Sequence, residues 1–187
     1  LAVPYFEGDD FENSLKPMEE LKEDLKAVTK WTHLTVEMGR FFVSECGYYI
    51  TSVMDQKSNE GINYCILDGG IHHLNYYGQM MGMKKPVIQH IKKSPYTDCG
   101  IKKEWSLFGS LCTTADVIVK NVLFNNLERG DMLVFENTGA YSVTEGIALF
   151  LSRTMPRILL YYGKDDIRLA RDFIESSTLN TVAEAAR

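Results

Sequence analysis

The chain has 187 residues, 45% hydrophobic and 24% charged, with a formal net charge of −5. That length and composition describe a folded domain with an appendage rather than a disordered chain. The acidic balance argues against a nucleic-acid surface, which needs clustered Lys and Arg; the pairs Lys84-Lys85 and Lys92-Lys93 read as a solvated face.

Residues 1 to about 13 are polar, contain Pro4 and Gly8, and read as a loop. A helix follows, with Ser14 as candidate cap, Pro17 in its first turn, and Glu19 and Glu20 near the positive end of its dipole. Leu21, Leu25 and Val28 recur at helical spacing and predict one buried stripe. Thr32 to Val36 is short and β-prone and ends at Glu37. From Tyr48 the texture changes to β-rich runs at 48–54, 64–67, 86–90, 104–108, 132–135 and 157–161. Turn signals punctuate them at Asp68-Gly69-Gly70 and Arg129-Gly130-Asp131. Short strands in succession without helices between them predict an antiparallel β-barrel or sandwich. Residues 165–176 predict a helix with Ile167, Ala170 and Ile174 on one face.

No apolar run approaches the roughly 20 residues that cross a bilayer, and the first residues lack the basic-then-apolar order of a signal peptide. Cys46, Cys65, Cys99 and Cys112 show no CxxC spacing. Neither a zinc site nor a disulfide framework follows from them, no metal is expected, and reduced thiols in the cytoplasm are the default.

Three segments carry chemistry. In Glu37-Met38-Gly39-Arg40, a carboxylate at the end of a predicted strand can hold a pyridinium nitrogen protonated, and an arginine three residues on can fork onto a phosphate. Alone, such a pair is more often a surface ion pair. In Gly109-Ser110-Leu111-Cys112-Thr113-Thr114-Ala115-Asp116, a thiol can be tuned to deliver a proton, although most free cysteines are small buried hydrophobes. In Gly139-Ala140-Tyr141, small residues let the backbone approach a ligand beside a phenol; a core tyrosine is the plain alternative.

In this order and spacing the three segments resemble the carboxy-terminal half of fold-type III pyridoxal-phosphate decarboxylases, the ornithine and diaminopimelate decarboxylase family. The resemblance runs from about residue 1 to 162. It implies that Glu37 meets the pyridinium nitrogen, that Arg40 and Tyr141 meet the cofactor phosphate, and that Cys112 reaches across a homodimer interface as proton donor, with Asp116 as interface support. The cofactor logic is that loss of CO2 leaves a carbanion, for which a protonated pyridine is a strong electron sink. Related racemases set an arginine against that nitrogen, so Glu37 favours decarboxylation. Met38 and Ser110 each stand where the family usually has proline. Thr113 stands where enzymes acting on free diamino acids usually carry Asp or Glu for the distal ammonium. Ornithine, lysine and diaminopimelate are therefore poor substrate candidates. Together with Asp68-Gly69-Gly70-Ile71-His72-His73, this looks more like the branch that acts on an aminoacyl group held on an acyl carrier protein. His72 and His73 are then candidates for substrate contact at the interface, with a structural or surface role as the other reading.

On that resemblance the chain divides into residues 1–40, the last αβ unit of a pyridoxal-phosphate-binding TIM barrel; 41–162, the β-domain; and 163–187, a helical tail. The Schiff-base lysine and glycine-rich phosphate loop would precede residue 1, and the fragment alone would be inactive. Two other readings stay open: a non-catalytic decarboxylase homologue, and a β-domain acting as an interaction module.

Overall fold

The computed structural model describes residues 3–76, 78–79, 81–94 and 101–182; Cys99 lies outside them. Strands β1 (Tyr49–Asn59) and β2 (Ile62–Leu67) form a hairpin through Glu60-Gly61, both at positive φ as a tight two-residue turn requires. With β3 (Ile88–Ile91), β4 (Lys102–Phe108), β5 (Val117–Asn125) and β6 (Met132–Phe135) they make one sheet in the order β3-β6-β1-β2-β4-β5. All neighbours are antiparallel except β2 and β4, which run parallel.

The long strand β1 is the hinge of this sheet. Its first half pairs with β6, Tyr49 opposite Phe135, and its second half pairs with β2 from Val53 to Asn59. The register shifts between Val53 and Asp55, and such an irregularity bends a strand and increases its twist. The sheet therefore curls, and its concave side is filled by Val53, Leu67, Leu107, Val119, Leu127, Leu133 and Phe135, all fully buried.

Strand β5 is absent from the runs marked in the sequence. Lys120-Asn121 interrupts its apolar pattern, and Asn121 sits at φ +55, kinking the strand between Val119 and Val122. The first residues are also more than a loop. Tyr5 and Phe6 are buried, stack edge-on against Tyr76, and join the β-domain core, with Phe6 bridging Pro86.

Three expectations need correction. Helix α1 (Lys16–Thr29) forms with Pro17 in its first turn, but Leu15 rather than Ser14 precedes it and no side chain caps it. None of its residues is buried, so the Leu21–Leu25–Val28 stripe covers nothing: the described residues hold no partner layer for it. Residues 33–38 form no strand, because no neighbouring strand is there to pair with them among the described residues. The expected tail helix is instead a hairpin. Strand β8 (Ile158–Gly163), which follows the two-residue β7 (Thr154–Met155), pairs antiparallel with β9 (Asp166–Arg171), and a short β10 (Ile174–Glu175) pairs with β7. The alternation of Ile167 and Leu169 suits period two, and the Gly163 turn hands β9 the open edge of β8.

Because α1 buries nothing, Leu21→Ala and Val28→Ala are expected to shift unfolding free energy of this chain by less than about 0.5 kcal/mol. Leu107→Ala in the sheet core should cost about 2–5 kcal/mol. Urea denaturation followed by tryptophan fluorescence measures both.

Candidate functional site

The site residues fall into two groups, each assembled where backbone meets backbone. The first begins at Glu37-Met38-Gly39-Arg40. Met38 adopts φ −136, which a proline ring cannot reach, so the departure from proline matches the local conformation. The chain then turns through helix α2 (Gly39–Val43) and a short 3₁₀ turn, and at Gly47 it lies directly on Gly139. A Cβ at either glycine would overlap the other segment's backbone. Gly139 N–H donates to Ser44 O at 2.8 Å and Thr138 N–H to Gly47 O at 3.0 Å.

This contact brings Tyr141, at φ +59, beside Arg40. The guanidinium lies 4.7 Å from the Tyr141 ring centre, donates to Glu145 Oε1 at 2.6 Å and donates to Tyr5 Oη at 3.1 Å. A Cβ on Gly39 would sit 3.1 Å from the Tyr141 hydroxyl, so the phenol tip rests against bare backbone. Glu37 and Arg40 line a cleft of about 900 Å³ whose other wall includes Asp9, Asn13, Lys16 and Glu20. A guanidinium, a phenol and unshielded glycine backbone converging beside an exposed carboxylate suit a phosphorylated pyridine ring. Sequence reasoning missed Glu145, the ion-pair partner of Arg40; it lies in no motif and is found only through the fold.

The second group forms around Asp116, which is 1% exposed. Its Oδ1 accepts from Ile71 N–H and its Oδ2 from Leu111 N–H, both at 2.8 Å. Gly70 and Gly109 close over the carboxylate, and a Cβ on either would overlap it. Burial raises the Asp116 carboxyl above the usual range, and the two backbone donors pull it back. Ser110 exploits its difference from proline twice: its N–H donates to Gly69 O at 2.8 Å and its hydroxyl to Asp68 O at 3.0 Å. Asp68 is in turn held by the Thr51 hydroxyl and by Ser52 N–H at 2.9 Å. The loop so anchored presents Cys112 to solvent. Thr113 shapes it, its Oγ1 accepting from Ala115 N–H at 3.2 Å.

His72 and His73 belong to the same loop cluster, His72 buried and His73 half-buried. His73 Nε2 is 2.8 Å from Thr154 O, and a carbonyl can only accept, so Nε2 carries the proton and Nδ1 accepts from the Tyr49 hydroxyl at 2.9 Å. His72 is 2% exposed, and its Nδ1 has no hydrogen-bond partner among the described residues. Burial, with the His73 and Arg153 charges beside it, pushes His72 down to about 4. Among the described residues no three His, Cys, Asp or Glu side chains group as metal ligands.

Residues 141–147 run between the two groups, with Tyr141 and Glu145 at Arg40, and Ile147 N–H donating to Ile71 O at 3.1 Å. A cavity of about 140 Å³ lined by Ile71, Ala115, Glu145 and Ile147 lies in the gap.

Asp116→Asn leaves one of the two backbone donors facing an amide, and should cost roughly 2–4 kcal/mol of unfolding free energy in urea. His72 binds its proton more readily unfolded than folded, so its contribution is complete above its ordinary value near 6.5 and is lost as pH falls towards 4. Over that window the chain should lose roughly 2–3 kcal/mol through this group, and His72→Leu should flatten the dependence.

Comparison with known proteins fits this geometry. Residues 40–139 match the family model of the pyridoxal-dependent decarboxylase C-terminal sheet domain. A Staphylococcus aureus decarboxylase, named for an L-alanin-3-ylcarbamoylmethyl derivative of 2-hydroxybutanedioate, is 32% identical over 86% of this chain and 40% of its own length. An L-glutamyl acyl-carrier-protein decarboxylase of Niallia circulans is 28% identical over 67% of the chain and 30% of its own. The crystal structure of Helicobacter pylori diaminopimelate decarboxylase complexed with L-lysine superposes with a TM-score of 0.72 at 25% identity, covering 93% of this chain and 40% of that one. The chain thus spans well under half the length of these relatives. It belongs to the pyridoxal-dependent decarboxylase family, of which it carries the C-terminal sheet domain.

Proposed function

We propose that this chain is the C-terminal part of a pyridoxal-phosphate-dependent amino-acid decarboxylase that works as a homodimer, on a substrate whose distal end is acylated rather than a free ammonium. The observation that carries the reading is the stacking of Tyr141 on Arg40 beside bare Gly39, where Arg40 lines a cleft with Glu37, inside a chain of this family.

When bound, pyridoxal phosphate supplies the electron sink for the carbanion left by CO2. Arg40 and Tyr141 would hold its phosphate, the planar guanidinium giving two parallel donors and the phenol a third. Glu37 would keep the ring nitrogen protonated by setting a negative charge against it. Glu145 keeps the Arg40 fork in position through their ion pair. Cys112, exposed on a loop clamped at both ends by Asp116 and Ser110, would deliver a proton to the carbon that lost CO2. Because the Cys112 loop and the Arg40 cleft are separate on one chain, the reading has the loop complete the site of the partner subunit.

Substrate preference rests on Thr113, which offers no charge to a distal ammonium. Two relatives are named for conjugated amino acids, one for a carbamoyl-linked alanine and one for a carrier-bound glutamyl group. A carrier-bound or otherwise conjugated aminoacyl group is accordingly the substrate class proposed here.

The test is mass spectrometry of the full-length protein loaded with pyridoxal phosphate and offered free diamino acids, acylated amino acids and aminoacyl-carrier protein in parallel. Loss of about 44 Da, the mass of CO2, only from a conjugated species is the expected result. Loss only from free ornithine, lysine or diaminopimelate would refute the substrate class, and loss from none would refute the decarboxylase reading. Cys112→Ser should lower kcat by about 10²-fold or more while leaving cofactor absorbance intact.

A further inference from the structure

We propose that Arg153 is a specificity-determining residue that receives an oxyanion, a carboxylate or a phosphate, at the end of the substrate remote from the reacting carbon. The proposal rests on the preceding reading that the Cys112 loop forms one wall of the active site.

Arg153 belongs to none of the three sequence motifs, yet the fold fastens it to the Cys112 loop. Its Nη2 donates to Ser110 Oγ at 3.1 Å, two residues before the thiol. The backbone around it is pinned on both sides: the hydroxyl of fully buried Ser176 donates to Arg153 O at 2.6 Å, and His73 Nε2 donates to Thr154 O at 2.8 Å. Immediately before it, Leu151 and Ser152 are consecutive residues at φ +57 and +51. Two such non-glycine residues persist only where surrounding contacts over-determine the backbone, a pattern associated with ligand clamps. Asn180 supplies one more contact, its amide donating to Ser152 Oγ at 2.9 Å.

The side chain so placed is exposed and pairs with no carboxylate among the described residues. One of its five guanidinium N–H groups is engaged by Ser110, and the other four have no hydrogen-bond partner among the described residues. The surrounding charges give it the field. Asp116 is buried with both oxygens engaged by backbone donors, and Thr113 is neutral. His72 and His73 both titrate below their ordinary range, with Arg153 contributing to each shift. The outward face of the loop cluster therefore presents one cation held in place, where a diamino-acid enzyme would need an anion.

The serine at position 110 is part of the same device. A proline there has neither the hydroxyl that orients the guanidinium nor the N–H that ties the loop to Gly69. Ser110 in place of proline orients Arg153, and the neutral Thr113 sets no carboxylate beside it, so the charge at the distal end of the substrate is set by the guanidinium. Preordering the guanidinium removes part of the entropy cost of binding an anion there.

The test uses the full-length enzyme with its cofactor and compares β-succinylated diaminopropionate with its distal methyl ester. The wild type should prefer the acid by about tenfold or more in kcat/KM, as expected for a charged hydrogen-bonded pair. Arg153→Gln should abolish that preference through KM with kcat little altered, Arg153→Lys should restore part of it, and Ser110→Ala should weaken it. Calorimetric titration with citrate and with phosphopantetheine distinguishes a carboxylate from a carrier-arm phosphate as the source of the anion. Binding of either that weakens about tenfold in Arg153→Gln supports the site, even if the wild type decarboxylates neither amino acid, in which case only the decarboxylase reading fails. An acid preference unchanged by Arg153→Gln, or binding of neither probe to the wild type, overturns the proposal.

Discussion

One buried carboxylate organises the end of the sheet where chemistry is placed. Asp116 immediately precedes strand β5 and reaches back to accept from Ile71 and Leu111, so a single side chain joins the turn after β2 to the loop after β4. Those strands are the parallel pair of the sheet, and their ends lie side by side with no hairpin to connect them. A parallel pair needs its loops tied by other means, and the carboxylate is that tie. Its burial is possible only because Gly70 and Gly109 leave the space a Cβ would take and because backbone donors meet both oxygens. The position of Cys112, the hydroxyl of Ser110 and the anchoring of Arg153 all follow from it.

The Arg40 cleft is built by a second, independent close approach, Gly47 against Gly139. It couples residues that are about a hundred positions apart in sequence without any side chain of its own. The ion pair of Arg40 with Glu145 then fixes the guanidinium over Tyr141. Two rigid devices on one chain, separated by residues 141–147, make sense for an active site divided between two subunits. On the proposed reading, each chain would contribute the phosphate-facing side of one site and the proton-delivering loop of another.

Much of this was legible in the sequence, for stated physical reasons. Motifs whose function depends on local backbone, such as Gly139-Ala140-Tyr141 and the Cys112 loop, are short, and their glycines report close approaches directly. The strands of the curled sheet were visible wherever apolar residues ran unbroken; β5 was not, because Asn121 kinks it and hides its period. The tail was misread as a helix because Ile167, Ala170 and Ile174 fit helical spacing as well as Ile167 and Leu169 fit a strand, and only the open edge of β8 decides between them. The stripe on α1 was read correctly as apolar and wrongly as buried, since burial depends on a partner layer and the described residues hold none. His72 and His73 drew attention because histidines on a turn suggest chemistry. The contacts that hold His73 could not be read there, since Tyr49 and Thr154 are 24 and 81 residues away from it.

The division of one site between two chains is the claim on which the rest turns, and subunit complementation tests it directly. Full-length Cys112→Ala and Arg40→Ala proteins, each inactive as a homodimer, are mixed, dissociated and reassociated, and decarboxylation is measured. If the two groups serve different sites, half the dimers are hybrids with one intact site each, and about a quarter of wild-type activity returns. If they serve the same site within one subunit, every site in the mixture carries one defect and no activity returns.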